Sequence, residues 1–167
     1  MGGDYEPLLE DNVEITAAPA GVWELVSDVR RIPEWSPQVD STRLREGYDR
    51  VELGALFTNR NSHGDLKWTT HGEIVRFEVE REMAFRIKEN WVVWSFQLEC
   101  TNGGGTRLTQ RRETPDGISD LSLELTDDYL GGQAEFTKTQ RAGMRQTLEG
   151  IKAAAEVRFR EGSNGLT

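Results

Sequence analysis

The sequence is poor in cysteine, basic residues and long apolar runs, on which disulfide-rich, nucleic-acid-binding and membrane proteins depend. Its 167 residues include one cysteine, Cys100, so no disulfide can form within the chain, and we expect a buried, inert thiol in a reducing compartment. Acidic residues outnumber basic ones by 29 to 20, and this excess argues against a nucleic-acid partner, which needs a basic surface. No apolar run approaches the ~20 residues of a membrane span, and the acidic start lacks the apolar segment of a signal peptide. The expected location is therefore the cytoplasm, without membrane insertion.

Histidine is also scarce, and neither of the two histidines indicates a metal site or a clear general base. His63 lies in the turn-like stretch "NSHGD", where exposure is expected. His71 is out of phase with Trp68 and Thr70 in its predicted strand, so it should face outward unless a bulge at Gly72 turns it. No carboxylate or thiol stands near either histidine at ligand spacing, so the sequence predicts no metal and no cofactor.

Aromatic rings, by contrast, are plentiful. Five Trp and six Phe need burial, in a chain that is 36% hydrophobic and 29% charged, as ordinary globular proteins are. The length fits a single domain over residues 1–167, with a core over about residues 12–161 and loose termini. The composition leaves the oligomeric state open, a homodimer included.

Alternation of apolar and polar residues predicts seven strands. The first covers 12–17, and the others cover 40–46, 54–61, 66–80, 82–89, 91–99 and 106–114. The stretch "TNGGGT" between the last two is typical of a hairpin turn, since it lacks the helix and lysine of a phosphate loop. In the last strand Leu108 is in phase with Thr106, Gln110 and Arg112, which places an amide and a guanidinium on the inner face or at its edge.

Helical segments flank the strands. "APAGVWELVSDV" predicts a short helix after the first strand, and one helical turn carrying Trp35 fits between Pro33 and Pro37. Trp35 could plug one end of the structure or act as a gate. A long helix is predicted over 133–161. Its inward stripe consists of Phe136, Gln140, Met144, Leu148, Ile151, Ala155 and Phe159.

The segment 115–132 is ambiguous. Leu121 and Leu125 suit a helix together with Ile118, and they suit a strand together with Leu123. It could form a mobile cover.

The order of these elements predicts an α+β fold, an antiparallel sheet with helices on one face. Three stretches, "VEITAAPAGVWELVSDVRRIPEWSP", "GALFTNRN" with the strands after it, and "GMRQTLEGIKAAAE", resemble the SRPBCC superfamily of START-like, helix-grip proteins. The resemblance is closest to the polyketide cyclase/dehydratase-like branch. It implies a curved seven-stranded antiparallel sheet wrapped around the long C-terminal helix, with two short helices after the first strand. It also implies a deep apolar cavity between sheet and helix.

The candidate ligand-binding residues form an apolar and a polar set. The apolar set is Phe57, Trp68, Ile74, Phe85, Trp94, Phe96, Leu98, Leu108, Met144 and Leu148. The polar set is Asn59, Asn61, Thr70, Gln110 and Arg112. Each apolar residue could line a cavity or pack in the core. Arg112 could bind a ligand carboxylate or enolate, or it could reach the rim and meet water or an acidic neighbour.

Two functions follow as expectations. The first is binding of a hydrophobic small molecule, such as a lipid, polyketide or aromatic metabolite, in the cavity. The alternative is a polyketide cyclase or dehydratase acting on a poly-ketone in the same cavity. No acid–base pair stands at a recognisable spacing, so Arg112 is the one weak candidate for a catalytic side chain. A third interpretation is a protein-binding module whose cavity is vestigial.

Overall fold

The computed structural model describes residues 5–164, with side chains through residue 158. The strands in this region are β1 (Leu8–Ile15), β2 (Val39–Leu44), β3 (Leu56–His63), β4 (Leu66–Glu78), β5 (Glu82–Ile87), β6 (Val93–Cys100) and β7 (Thr106–Glu113). The helices are α1 (Pro19–Val26), α2 (Ile32–Trp35), α3 (Asp120–Tyr129) and α4 (Gln133–Asn164), and a 3-10 turn (Val29–Arg31) precedes α2. Loose termini were expected outside about residues 12–161; β1 includes 8–11 and α4 includes 162–164, whereas 1–4 and 165–167 lie outside the described part, as does the side chain of Phe159.

The seven strands form one antiparallel sheet in the order β1-β7-β6-β5-β4-β3-β2. From β2 to β7, strands that are consecutive in the chain are neighbours in the sheet. The last strand, β7, also pairs with the first, β1. With the long α4 packed on the inner face, this arrangement confirms the predicted α+β helix-grip fold. Register shifts at Val39/Ser41 in β2 and at Ile74/Arg76 in β4 mark bulges, which bend these two strands locally.

The register confirms which residues of β6 and β7 share a face. Trp94 lies opposite Arg112, Phe96 opposite Gln110, and Leu98 opposite Leu108. Because directly opposed residues in an antiparallel pair point to the same side, all six point inward.

β1 begins four residues earlier than its predicted start at residue 12. The added residues pair with the basic end of β7, where Glu10 lies 2.8 Å from Arg111; further along, Glu14 lies 2.9 Å from Arg107. The acidic run hid the strand because its apolar alternation is weak there, whereas opposite charges across the strands favour the pairing.

The concave side of the sheet is divided into two parts. At one end α1 and the later turns of α4, including Leu148 and Ile151, are buried in a continuous core. Phe57 belongs to this core, with its ring 5.3 Å from the ring of Phe85 in an edge-to-face arrangement. At the other end the early turns of α4 stand over an open space covered by α2 and α3.

The ambiguous segment contains a helix. Ser119 caps α3, because its hydroxyl accepts a hydrogen bond from the Ser122 N–H at 3.3 Å. The same hydroxyl donates to the Glu89 carbonyl at 2.7 Å, which ties the start of α3 to the end of β5. Gly131 and Gly132, with φ of 82° and 91°, stop the helix in a conformation that favours glycine.

Cys100 corrects one expectation, since its thiol is exposed. It is the last residue of β6, beside the hairpin turn, where the strand leaves the packed part of the sheet.

Candidate functional site

The open space is a cavity of about 430 Å³. Its floor is the inner face of β3 to β7, its roof is the first half of α4, and α2 and α3 close its sides. Seven aromatic rings line it: Trp35, Trp68, Phe85, Trp94, Phe96, Tyr129 and Phe136. A concave, ring-walled space of this size is typical of sites for small apolar molecules.

Nine of the candidate residues line this cavity. The apolar ones are Trp68, Phe85, Trp94, Phe96 and Met144, and the polar ones are Asn59, Asn61, Thr70 and Gln110. The eight strand residues were grouped by their alternation along the strands, and Met144 by the inward stripe of the helix. All nine line the same cavity.

The other six candidates are elsewhere. Phe57, Ile74, Leu98, Leu108 and Leu148 are packed in the core at the opposite end of the concave side. The four strand residues face the same way as the lining residues, but α1 and the later turns of α4, Leu148 among them, cover them. Periodicity assigns a face and not a position along it, which is why these five were grouped with the wall.

Arg112 is the sixth. It is 2% exposed and lies outside the cavity wall. One guanidinium N–H donates to Gln140 Oε1 at 3.2 Å, and another donates to the backbone carbonyl of Glu6. Neither predicted role matches this placement, because the side chain reaches neither the cavity nor water. Burial lowers the pKa of the Arg112 guanidinium from its ordinary value.

The polar lining residues differ in how far their hydrogen bonds are satisfied. Asn59 accepts a 2.7 Å bond from the Thr42 hydroxyl, and Asn61 donates a 3.0 Å bond to the Thr70 hydroxyl. Gln110 is only 7% exposed, yet its side-chain oxygen has no hydrogen-bond partner. Gln38, also in the wall, has an amide nitrogen in the same condition. Buried polar atoms normally find partners, so these two amides are the groups most open to a ligand.

Glu89 is the charged residue of the wall, and its carboxylate is already engaged. Oε1 accepts the backbone N–H of His71 at 2.6 Å, and Oε2 lies 2.7 Å from His71 Nδ1. The side chain of His71, which was expected to face outward, contacts the Glu89 carboxylate just after β5 and does not enter the cavity.

The candidate binding residues did not include the covering elements, although the sequence allowed Trp35 as a gate and the segment 115–132 as a cover. Trp35 and Ile32 of α2, Leu121 and Leu125 of α3, and Gly143 of α4 all line the cavity. Trp35 is a half-buried wall residue that packs on α4, with the Arg31 guanidinium 5.4 Å from its ring centre. The 3.6-residue spacing of Leu121, Leu125 and Tyr129 was the available signal for α3.

Residues 7–156 match the sequence model of the family described as polyketide cyclase / dehydrase and lipid transport. The chain belongs to this family. A polyketide-cyclase-like protein of Corynebacterium glutamicum is 26% identical and superposes with a TM-score of 0.60, over 92% of this chain and 94% of that one. No curated protein matches the sequence.

More distant structures share the fold of this polyketide cyclase-like family member. The di-domain ARO/CYC StfQ of the steffimycin biosynthetic pathway is 17% identical with a TM-score of 0.71, over 91% of this chain and 51% of StfQ. The Aha1 dimer of Colwellia psychrerythraea is 13% identical with a TM-score of 0.58, over 90% of this chain and 96% of that one. Within residues 5–164, no helix has the length and apolarity that crossing a membrane requires.

Proposed function

We propose that the protein binds an apolar small molecule in the cavity between the sheet and α4. The observation that carries this proposal is the space of about 430 Å³ walled by aromatic rings, with the unpartnered amide of Gln110 in its wall. Removing apolar ligand surface from water supplies the affinity, at roughly 25 cal/mol per Å². The few polar side chains orient the ligand.

Cyclisation of a poly-ketone, the second function the family description covers, has less support from the geometry. Such chemistry needs groups that move protons or stabilise an enolate in contact with the substrate. Arg112 is outside the cavity wall and donates a hydrogen bond to Gln140, and the Glu89 carboxylate in the wall contacts His71 through both oxygens. Binding therefore explains the wall better, and turnover of a model poly-ketone would favour the enzyme.

Ligand-dependent stabilisation tests the binding proposal. The protein would be melted with a panel of uncharged lipids, sterols and aromatic polyketides, and Trp fluorescence would be followed because Trp35, Trp68 and Trp94 line the cavity. A ligand at about 100 times its dissociation constant adds ~2.7 kcal/mol to the free energy of unfolding. A panel without any shift in melting temperature or fluorescence contradicts the proposal.

The variant Gln110→Leu tests whether Gln110 orients the ligand through a hydrogen bond or only contributes to the cavity wall. The variant should be more stable by about 1 kcal/mol, because an unsatisfied buried oxygen is removed. It should bind a hydroxylated or ketone-bearing ligand more weakly but keep its affinity for a hydrocarbon of the same shape. Isothermal titration of the two ligands measures the difference, and an equal loss for both would show that Gln110 is only part of the wall.

A further inference from the structure

The cavity wall contains no side chain that could neutralise an anion. Among the described side chains, residues 5–158, those lining the cavity include no lysine, arginine or histidine. An ionised carboxylate that leaves water for an apolar space without a counter-charge or donors is strongly disfavoured. Arg112 is a buried cation outside the wall; its two terminal nitrogens donate to Gln140 and to the Glu6 carbonyl, and its Nε has no hydrogen-bond partner.

The wall is also poorly suited to a cation. Glu89 carries the lining's negative charge, but both its oxygens are within hydrogen-bond distance of His71. A ligand ammonium would lose its water and find this carboxylate occupied. The other polar side chains of the wall are uncharged amides and hydroxyls, Gln38, Asn61, Thr70, Gln110 and Gln140 among them, and such groups suit uncharged donors and acceptors.

The surface around α3 strengthens the discrimination against anions. Leu121, Leu125 and Tyr129 of α3 line the cavity and are also exposed, so this helix forms part of the rim. The exposed acidic residues of the same helix are Asp120, Glu124, Asp127 and Asp128. An approaching carboxylate passes this negative surface before it reaches a wall that holds no cation.

We propose that the ligand is uncharged at neutral pH, an apolar skeleton bearing hydroxyl, carbonyl or amide groups, and not a fatty acid or an amine. This inference rests on the proposed function, since it concerns the ligand class of the same cavity.

A matched set of fluorescent probes tests it: 9-anthracenemethanol, 9-anthracenecarboxylate and 9-anthracenemethylammonium at pH 7. Energy transfer from the cavity tryptophans to anthracene reports binding. The dissociation constant of the alcohol should be at least tenfold lower than that of either ion. A smaller ratio for either ion overturns the inference and leaves the binding proposal intact, whereas failure of all three to bind contradicts both.

Placing a cation in the wall should reverse the preference. Met144→Lys puts an ammonium in the buried wall, and Thr139→Lys does so at a half-buried lining position that tolerates substitution better. Each should raise the affinity for the carboxylate relative to the alcohol at least tenfold. Ala142→Lys, exposed on the same helix and outside the wall, adds the same charge and should leave the ratio unchanged. An unchanged ratio in folded Thr139→Lys overturns the inference.

The variant Arg112→Met tests whether the Arg112 guanidinium can bind the carboxylate of a ligand in the cavity. The carboxylate-to-alcohol ratio should not change, because the guanidinium does not face the cavity. A selective loss of carboxylate binding would show that Arg112 turns toward the ligand, and the inference would then be wrong.

Discussion

Phe57 and Gly72 lie opposite each other on β3 and β4, and Phe57 belongs to the packed core. The Phe57 ring lies directly over Gly72, where an added Cβ would stand 2.2 Å from ring atom Cζ and 2.6 Å from Cε2. Because Gly72 has no side chain, the ring can lie there, and the core is packed tightly at this point.

Gly72→Ala should therefore destabilise the protein by about 1–3 kcal/mol, because the methyl group forces the Phe57 ring out of a filled core. Chemical denaturation measures the loss. Gly103→Ala is the control, since nothing lies within 4 Å of its added Cβ. Adding Phe57→Leu to Gly72→Ala should recover part of the stability, and additive losses in the double variant would contradict the steric account.

Single residues also show where sequence reasoning stops. The phase of β7 correctly places Arg112 on the inner face, opposite Trp94. What it cannot supply is the partner from a distant part of the chain. The Glu6 carbonyl and Gln140 are 106 and 28 residues away, and they accept hydrogen bonds from the two terminal nitrogens of the guanidinium.

At the scale of elements, α4 has two functions along its length. Its early turns roof the cavity through Phe136, Gln140 and Met144, and its later turns enter the core through Leu148 and Ile151. The predicted stripe is continuous, so sequence alone gives no sign of the change. The change coincides with α1, whose buried residues share the core cluster with Leu148, Ile151 and Ala155 of the later turns.

Two glycines of α4 allow this division to be tested. Gly143 lines the cavity, and an added Cβ would be 3.7 Å from Pro37; at Gly150 an added Cβ would be 3.7 Å from Trp35, an ordinary contact in both cases. Replacing either should raise the free energy of unfolding by up to about 1 kcal/mol, because glycine is a poor helix residue.

Gly143→Leu should in addition weaken ligand binding at least tenfold, since its side chain occupies cavity volume, whereas Gly150→Ala should leave binding unchanged. Melting curves and titrations of the two variants with the same ligand give both quantities. Equal affinities would mean that the ligand does not use the space beside Pro37.

The sequence of α3 contains a helical pattern, but that pattern does not decide between a helix and a strand. Apolar residues at 121, 123 and 125 suit a strand as well as a helix. The structure resolves the ambiguity through the Ser119 cap and the Gly131–Gly132 stop, features that sequence can reveal when the ends of a segment are read before its middle.

At the scale of the whole molecule, side chains of α4 tie the first strand to the last helix. Glu156 accepts a 2.9 Å bond from the Thr16 N–H and a 2.7 Å bond from Lys152, whose ammonium also donates to the Glu14 carbonyl at 2.8 Å. The hydrogen bond from Lys152 is the main cause that holds the pKa of Glu156 below its usual value of 4.5. These bonds join parts of the chain about 140 residues apart.

Stability should respond to pH through this carboxylate. Its folded-state pKa is lowered, so its contribution is complete above about pH 4.5 and is lost as the pH falls through the lowered value. Glu156→Gln should cost on the order of 1 kcal/mol at pH 7, and the difference from the parent should shrink below pH ~4. Urea denaturation across pH 3–7 measures this. Glu124→Gln, on the exposed face of α3, should show no such trend, and a constant difference for Glu156→Gln would contradict the assignment.

The whole architecture was accessible from sequence for a physical reason. Seven alternating segments followed by one long amphipathic helix have few ways to bury their apolar faces, and the antiparallel sheet around a helix is one of them. The division of the concave side into core and cavity was not accessible. It depends on how far α1, α2 and α3 reach over the sheet, and contacts distant in sequence set that distance.

The exposed side chain of Cys100 has a practical consequence. It is the chain's single sulfhydryl, and it lies on the same strand as Trp94 of the cavity wall, six residues away or about 20 Å at the rise of a β-strand. One maleimide dye attached there would label the molecule at a single defined point without entering the binding space. Changes in tryptophan fluorescence would then report whether the binding space is occupied, while its interior stays unmodified.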